Sequence, residues 1–262
     1  MTNVVIGAGS GMGAAVARKL APRGALIVAD HDLESAERTA AEIGGDVRAM
    51  RCDITSQADV DALMAAVDKL EALVVTAGLS GSQGTGRQIL EVNLIGLERV
   101  VRAAEPLVEE GTVCVLTASQ SGYMVPDTPA MFAVMDEPLA PGMLDRLSQF
   151  MDIDSPSLCY QLSKRGVHRM PRRHAKTWGA RGGRILSLSP GINDTPMNRR
   201  DEARNPVMLD IIAASPLGRR GTTEGIAKVM DFLTSADAEY MTGSDVLVDG
   251  GMVTVLPTTA WE

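Results

Sequence analysis

Seven short apolar runs, separated by longer stretches of helical pattern, constrain this chain more than any other feature. Val4–Ile6, Ala25–Ala29, Val47–Arg51, Leu73–Val75, Thr112–Thr117, Arg184–Leu188 and Ser244–Val248 read as strands. Between them, Met12–Ala21, Leu33–Ile43, Ser56–Lys69, Gln88–Val108, Tyr160–Trp178 and Glu224–Leu233 read as helices. The strand runs are continuous in Val, Ile and Leu rather than alternating, as strands covered on both faces must be. Strand–helix alternation of this kind specifies a parallel sheet sandwiched between helices. A chain of 262 residues suits one such unit and is short for two. The expected fold is α/β: a single domain over residues 1–262, with a doubly wound parallel sheet in three layers.

Composition narrows the function. Aromatic residues are 3% of the chain, so Ala, Val, Leu, Ile and Met must fill the core; Met64, Met230 and Met12 are read as core fillers. The formal charge of −8 argues against a nucleic-acid partner, which needs a concentrated basic face. The basic cluster from Lys164 to Lys176 reads as a solvated helix face. Cys52, Cys114 and Cys159 have neither metal nor disulfide spacing and read as buried apolar residues in a reducing compartment. His31, His168 and His174 form no metal site or triad with acidic residues and read as surface or capping groups. The sequence is strand-like by Val4, leaving no room for a signal peptide after Met1, and no apolar run reaches membrane-spanning length. A cytoplasmic location without membrane contact is expected.

One stretch departs from the alternation. Between Tyr123 and Leu158, prolines alternate with Met124, Met131, Phe132, Met135, Met143, Phe150 and Met151. The segment is too long for an ordinary strand-to-helix connection and too apolar to stay solvated. It reads as a lid or an interface element, with a short helix within Gly142–Met151.

Two places carry chemistry. After the first strand, Gly7-Ala8-Gly9-Ser10-Gly11-Met12-Gly13 opens a helix. A turn without Cβ atoms lets backbone approach a pyrophosphate at the positive end of that helix, as in Rossmann-type sites. The second strand ends at Asp30, placed to accept hydrogen bonds from the adenosine ribose hydroxyls. No Arg or Lys accompanies it to offset a 2′-phosphate, so NAD is the expected cofactor rather than NADP. Further on, Tyr160 and Lys164 are four residues apart on one predicted helix and so share a face. A phenol titrates near 10 and needs help to exchange a proton near neutrality; a neighbouring ammonium favours its ionised form.

The order of these elements, with Asn93, Ser119 and Pro190-Gly191 among them, resembles the classical short-chain dehydrogenase/reductase family from Val4 to Gly251. The resemblance implies a catalytic set of Asn93, Ser119, Tyr160 and Lys164, with Ser121 the lesser candidate for the serine. It implies cofactor contacts at Gly7, Ser10, Gly11, Met12, Gly13, Asp30, Asp53, Ile54, Ala77, Gly78, Tyr160, Lys164, Pro190, Gly191, Ile192 and Thr195. Tyr160 would exchange a proton with an alcohol or ketone, Lys164 would bind the nicotinamide ribose and depress the Tyr160 pKa, Ser119 would hold the substrate oxygen, and Asn93 would fix a relay water. A homodimer or homotetramer is implied as well.

The sequence departs from the family where Val75-Thr76 precedes Ala77-Gly78, and at Leu186 and Ile6, all scaffold positions. The distance from Ser119 to Tyr160 is also enlarged, as in some hydroxysteroid dehydrogenase/carbonyl reductases, which suggests a bulky apolar substrate such as a hydroxysteroid. The leading expectation is an oxidoreductase interconverting a secondary alcohol and a ketone. A catalytically silent NAD sensor or scaffold is the alternative, but it has no need of a proton relay. Enoyl reduction or epimerisation would keep the fold, although the four-residue Tyr–Lys spacing suits carbonyl chemistry better.

Overall fold

The computed structural model describes residues 1–126, 128–204 and 207–255. Its centre is one seven-stranded sheet in the order β3-β2-β1-β4-β5-β6-β7, every neighbouring pair parallel. The strands are β1 (Thr2–Ile6), β2 (Ala25–Asp30), β3 (Val47–Arg51), β4 (Leu70–Val75), β5 (Val113–Thr117), β6 (Arg184–Pro190) and β7 (Asp245–Val248). All seven expected runs are strands. β1 lies between β2 and β4, so the winding direction reverses there and leaves a crevice at the carboxyl ends of these strands.

Helices cover both faces. On one side α1 (Gly11–Leu20), α2 (Leu33–Ile43) and α11 (Thr223–Leu233) pack Val16, Leu20, Ala36, Ile226 and Met230 against Val5, Val28 and Val74. On the other, α3 (Gln57–Ala65), α4 (Gly86–Leu90), α5 (Leu97–Ala104) and α8 (Pro156–Gly179) bury Leu63, Leu90, Val100 and Val167 with Val4, Leu73 and Leu116. Trp178, wholly buried near the end of α8, anchors that helix on this core. The three cysteines are free and buried. Met64 and Met230 are core residues, whereas Met12 is half-buried and lines the crevice.

The expected continuous helix from Gln88 to Val108 is in fact three pieces: α4, a π-helical turn over Glu91–Gly96, and α5. Pro106 lies in a final tight turn after α5. α3 likewise stops at Ala65, so that the chain can enter β4 at Leu70.

The segment from Tyr123 to Leu158 folds onto its own chain. It forms α6 (Pro129–Met135) and α7 (Met143–Leu147) and then the first turn of α8; Asp127 lies outside the described residues. Met131, Phe132, Met135, Met143, Leu147 and Ile153 are buried in the same core as α5 and α8. Two further helices, α9 (Pro196–Arg204) and α10 (Val207–Ala214), follow β6 and were not expected.

The basic cluster on α8 is a correction. Lys164 is buried, and Arg169 and Arg173 face inward to the carboxylates of Asp136 and Glu98. Glu98 is wholly buried and also bonds Arg102 and His174 at 2.8 and 3.1 Å. A carboxylate with no access to water requires such a set of cations, which is why Arg169 and Arg173 turn inward, whereas Arg172 and Lys176 are exposed as expected. Among the described residues no helix is long and apolar enough to cross a membrane.

Candidate active site

The crevice is a cleft of about 850 Å³ whose floor is the glycine turn. Gly7, Ser10, Gly11, Met12 and Gly13 all line it. The turn is pressed hard onto the sheet: a Cβ on Gly13 would lie 2.1 Å from the Gly7 carbonyl oxygen and 2.4 Å from Thr76 Oγ1. Ser10 caps α1 with extended backbone but without a side-chain hydrogen bond, and the first turn of the helix holds no acidic residue. The positive end of α1 therefore faces the cleft with no side-chain anion of its own, a setting that suits a bound diphosphate.

Asp30 ends β2 at the rim. Its Oδ2 accepts the Gly9 N–H at 2.8 Å, its Oδ1 accepts the Asp32 N–H at 3.1 Å, and His31 Nδ1 lies 2.8 Å from Oδ1. His31 is exposed, as expected. Asp32, at the N-cap of α2, accepts a hydrogen bond from Ser35 instead of capping the helix. Asp53 and Ile54 line the cleft after β3, with Asp53 Oδ1 accepting from the Thr55 amide and hydroxyl at 2.9 and 2.7 Å.

Ala77 and Gly78 form the wall beyond β4, and Thr195 the opposite wall. Thr195 accepts the Asn198 N–H at 3.1 Å and so begins α9. Tyr160, Lys164, Pro190, Gly191 and Ile192 do not line this cleft. Pro190 ends β6 against β7, the Gly191 N–H donates to Val248 O, and Ile192 O accepts from Gly221, so this strand end is tied away from the cleft until Thr195. Gln83, Gln88 and Arg200 also line it and were missed. Arg200 was the most accessible of these to sequence reasoning, being close behind Thr195.

Two of the candidates for the catalytic set, Asn93 and Lys164, meet where the cleft ends at Gly78. A Cβ on Gly78 would sit 3.2 Å from Asn93 Oδ1 and 3.5 Å from Lys164 Nζ, so both side chains close on it. The π-turn places Asn93, wholly buried, to bracket Leu79: Oδ1 accepts its N–H at 2.8 Å and Nδ2 donates to its carbonyl at 2.9 Å. Lys164 Nζ donates to Thr117 O at 2.9 Å and stands 5.8 Å from the Tyr160 ring centre. Burial lowers its pKa from the ordinary 10.5 to about 8.

Burial pushes the Tyr160 phenol up, hydrogen bonds from Ser119 and Ser121 oppose that rise, and the Asp201 carboxylate adds to it. The Ser121 amide and hydroxyl both donate to Ser119 Oγ, at 3.2 and 3.0 Å, so the two hydroxyls share one site.

Behind Ser119 lies a group that sequence reasoning misjudged. His168 and His174 are buried, not surface residues. His168 Nε2 is 3.1 Å from Ser119 O and 2.8 Å from Ser189 Oγ. A carbonyl cannot donate, so Nε2 carries the hydrogen. The imidazole packs on the Tyr123 ring at 4.5 Å, and the Tyr123 hydroxyl donates to Asp245 at 2.7 Å. Burial keeps the imidazole neutral, against the pull of Asp245. Among the described residues no group of His, Cys, Asp and Glu is placed to hold a metal ion.

Residues 2–132 match the model of the family described as short chain dehydrogenase. The chain belongs to the short-chain dehydrogenase/reductase family. Residues 149–253 match a second model, described as enoyl-(acyl carrier protein) reductase.

Among the relatives of this dehydrogenase/reductase chain is a galactitol 2-dehydrogenase (L-tagatose-forming) of Cereibacter sphaeroides, 31% identical, the match covering 94% of this chain and 92% of the relative. Another is 3beta-hydroxysteroid dehydrogenase 1 of Eggerthella lenta, 30% identical over 96% and 93%. A solved 3-ketoacyl-(acyl-carrier-protein) reductase from Brucella melitensis, complexed with NADH, superposes with a TM-score of 0.75 at 25% identity, covering 96% of this chain and 98% of that one. The family's fold and its oxidoreductase chemistry on secondary alcohols therefore apply here. The departure at Thr76 acquires a reason: its hydroxyl reaches the Ile6 and Gly7 carbonyls, both at 3.0 Å, and braces the glycine turn.

Proposed function

We propose that this short-chain dehydrogenase/reductase uses NAD(H), with Tyr160 as the acid/base in the interconversion of a secondary alcohol and a ketone. The observation that carries the reading is that Lys164 closes on Gly78 at the end of a cleft that begins at Asp30, with the Tyr160 ring 5.8 Å from its ammonium and Ser119 hydrogen-bonded to the phenol. When bound, the nicotinamide supplies the hydride acceptor or donor. Asp30 would receive the ribose hydroxyls, and the α1 amides the diphosphate. NAD is favoured over NADP because Asp30, Asp32 and Asp53 surround the ribose end, while Arg200, the sole Lys or Arg lining the cleft among the described residues, stands with Thr195–Met197 at the other wall.

In the oxidative direction, Tyr160 takes the hydroxyl proton of the substrate as the C–H bond gives up its hydride; in reduction it returns that proton to the forming alkoxide. Ser119 holds the reacting oxygen by a hydrogen bond that strengthens as charge grows there. Lys164, still protonated at neutrality, supplies positive charge to this end of the cleft. Asn93 fixes the Gly78–Leu79 backbone, against which substrate and cofactor would meet.

The hydroxysteroid expectation drew on the length of the Ser119–Tyr160 segment and on its Met and Phe content, of which Met131, Phe132, Met135 and Met143 are part. All four are buried in the core and none lines the cleft, so these four do not support it. Tyr160→Phe should abolish turnover of every alcohol and ketone while NADH fluorescence still reports binding. Persistent activity would refute the assignment of Tyr160, and a large preference for NADPH would refute NAD. Binding of NADH without turnover across a broad panel would favour the silent sensor.

A further inference from the structure

We infer that Asp201, together with Ser80 and Ser82, forms a hydroxyl-recognising wall of the substrate site, and that the substrate is a polyhydroxylated alcohol or its ketone. The inference rests on the dehydrogenase reading above and names the substrate class for that same site.

Three observations bring these residues to the reactive end. Ser80 follows the Gly78–Leu79 turn, whose backbone Asn93 holds on both sides and whose Gly78 lies against Lys164. Ser80 is itself fixed, its N–H donating to Gln83 Oε1 at 2.9 Å. Asp201 reaches over from α9: its Oδ1 accepts from Ser80 Oγ at 3.2 Å and from Ser82 Oγ. Its neighbours on α9, Pro196, Met197 and Arg200, line the cleft, and its charge adds to the rise of the Tyr160 pKa.

The chemistry of this wall is specific. Among the described residues Asp201 has hydroxyl partners and no ion pair, so what its carboxylate satisfies is O–H donors. Substrate hydroxyls next to the reacting carbinol can replace Ser80 and Ser82 there, group for group. An apolar substrate would instead strip water from the carboxylate and offer no donor in its place. Sites built to hydrogen-bond a substrate hydroxyl discriminate strongly against analogues that lack it.

The test is steady-state oxidation with NAD of xylitol, galactitol, cyclohexanol, an amino alcohol and a hydroxysteroid by wild type, Asp201→Asn, Asp201→Leu and Ser82→Ala. The better polyol should exceed cyclohexanol in kcat/KM by at least about tenfold in wild type, and both Asp201 variants should lower that ratio about tenfold, mainly through KM. The acid limb of the pH profile should move to lower pH in Asp201→Asn, because a negative charge that raises the phenol pKa is gone; a merely structural role would not move it. A ratio unmoved by the variants, or a preference for the amino alcohol or the steroid, would overturn the inference. If Tyr160-dependent oxidation of cyclohexanol persisted alongside, the dehydrogenase reading would stand without it. No turnover of any alcohol would overturn both.

Discussion

Replacing Lys164 with Met should stabilise the protein at neutral pH while removing its activity. Lys164 is 5% exposed and its ammonium has one described hydrogen bond, to Thr117 O at 2.9 Å. Burial lowers its pKa from 10.5 to about 8. A difference of that size is worth about 3 kcal/mol, opposing folding. The folded chain holds the proton less tightly than the unfolded chain, so stability rises with pH across this window. The penalty is complete below about pH 8 and has gone above 10.5, where both states are neutral. Met fills most of the same volume without charge, but it leaves the Thr117 carbonyl without this donor, at roughly 1 kcal/mol. The net expectation is a gain of roughly 2 kcal/mol at neutral pH that declines through zero and reverses in strong alkali. Urea unfolding of both proteins at several pH values reads this directly, since other titrating groups cancel in the difference. Parallel curves for the two proteins would refute the reasoning, because an ammonium unperturbed by burial gives no pH-dependent difference.

Three further outcomes follow from the same geometry. Asp30→Ala should weaken NADH binding about 10–100-fold, the loss of a charged acceptor for two hydroxyls, as read by fluorescence titration; an unchanged Kd removes Asp30 from the ribose site. Glu98→Gln should destabilise by about 3–5 kcal/mol, because it strands the half-buried Arg173 and the buried His174 around a neutral amide. Burial by itself raises the Glu98 pKa, but His174, Arg173 and Arg102 hold it below the ordinary value. Its contribution is therefore present above the usual carboxylate range and lost as pH falls through the depressed pKa, so unfolding curves of the two proteins should converge in acid. Gly122→Ala should lower kcat about 100-fold with little change in NADH affinity, because the added Cβ would lie 2.6 Å from His168 Cε1 and 2.8 Å from the Arg165 amide, and the Ser119 turn must shift.

What could be read from the sequence was local. α2 and β3 fall on their expected bounds because a continuous apolar run or an amphipathic stretch is a property of consecutive residues. The glycine turn, Asp30 and the Tyr160–Lys164 pair were legible for the same reason. The π-turn at Glu91–Gly96 was not, since a slip of one hydrogen bond leaves the apolar periodicity almost intact. The burial of His168 and His174 depends on Ser189 and Glu98, far away in the chain, and no spacing rule reaches that far. Likewise, the composition of residues 123–158 announced a surface to be covered but not which surface covers it. The bond from Asp201 to Ser80 and Ser82 closes only once α9 has folded back over the cleft.

The long path from Ser119 to Tyr160 now has a physical resolution. Tyr160, Lys164 and His168 follow one another at four-residue steps along one face of α8. The Ser119 turn is held on that face directly, by His168 at its carbonyl and by the close approach that Gly122 permits. The next element is held as well: Asp136, just beyond α6, takes both Arg169 and Arg173 of the same helix, and Phe132 lies beneath the Arg169 guanidinium at 4.5 Å. The chain after β5 is thus fastened to α8 at two levels before it travels out through α7. Residues beyond Asp136 can lengthen or shorten without moving Ser119 relative to Tyr160, because the helix that carries the tyrosine also carries the groups that seat the serine. The separation in sequence therefore places no demand on the reactive geometry, and Met143, Leu147 and Ile153 of the intervening chain serve the same core as α5 and α8.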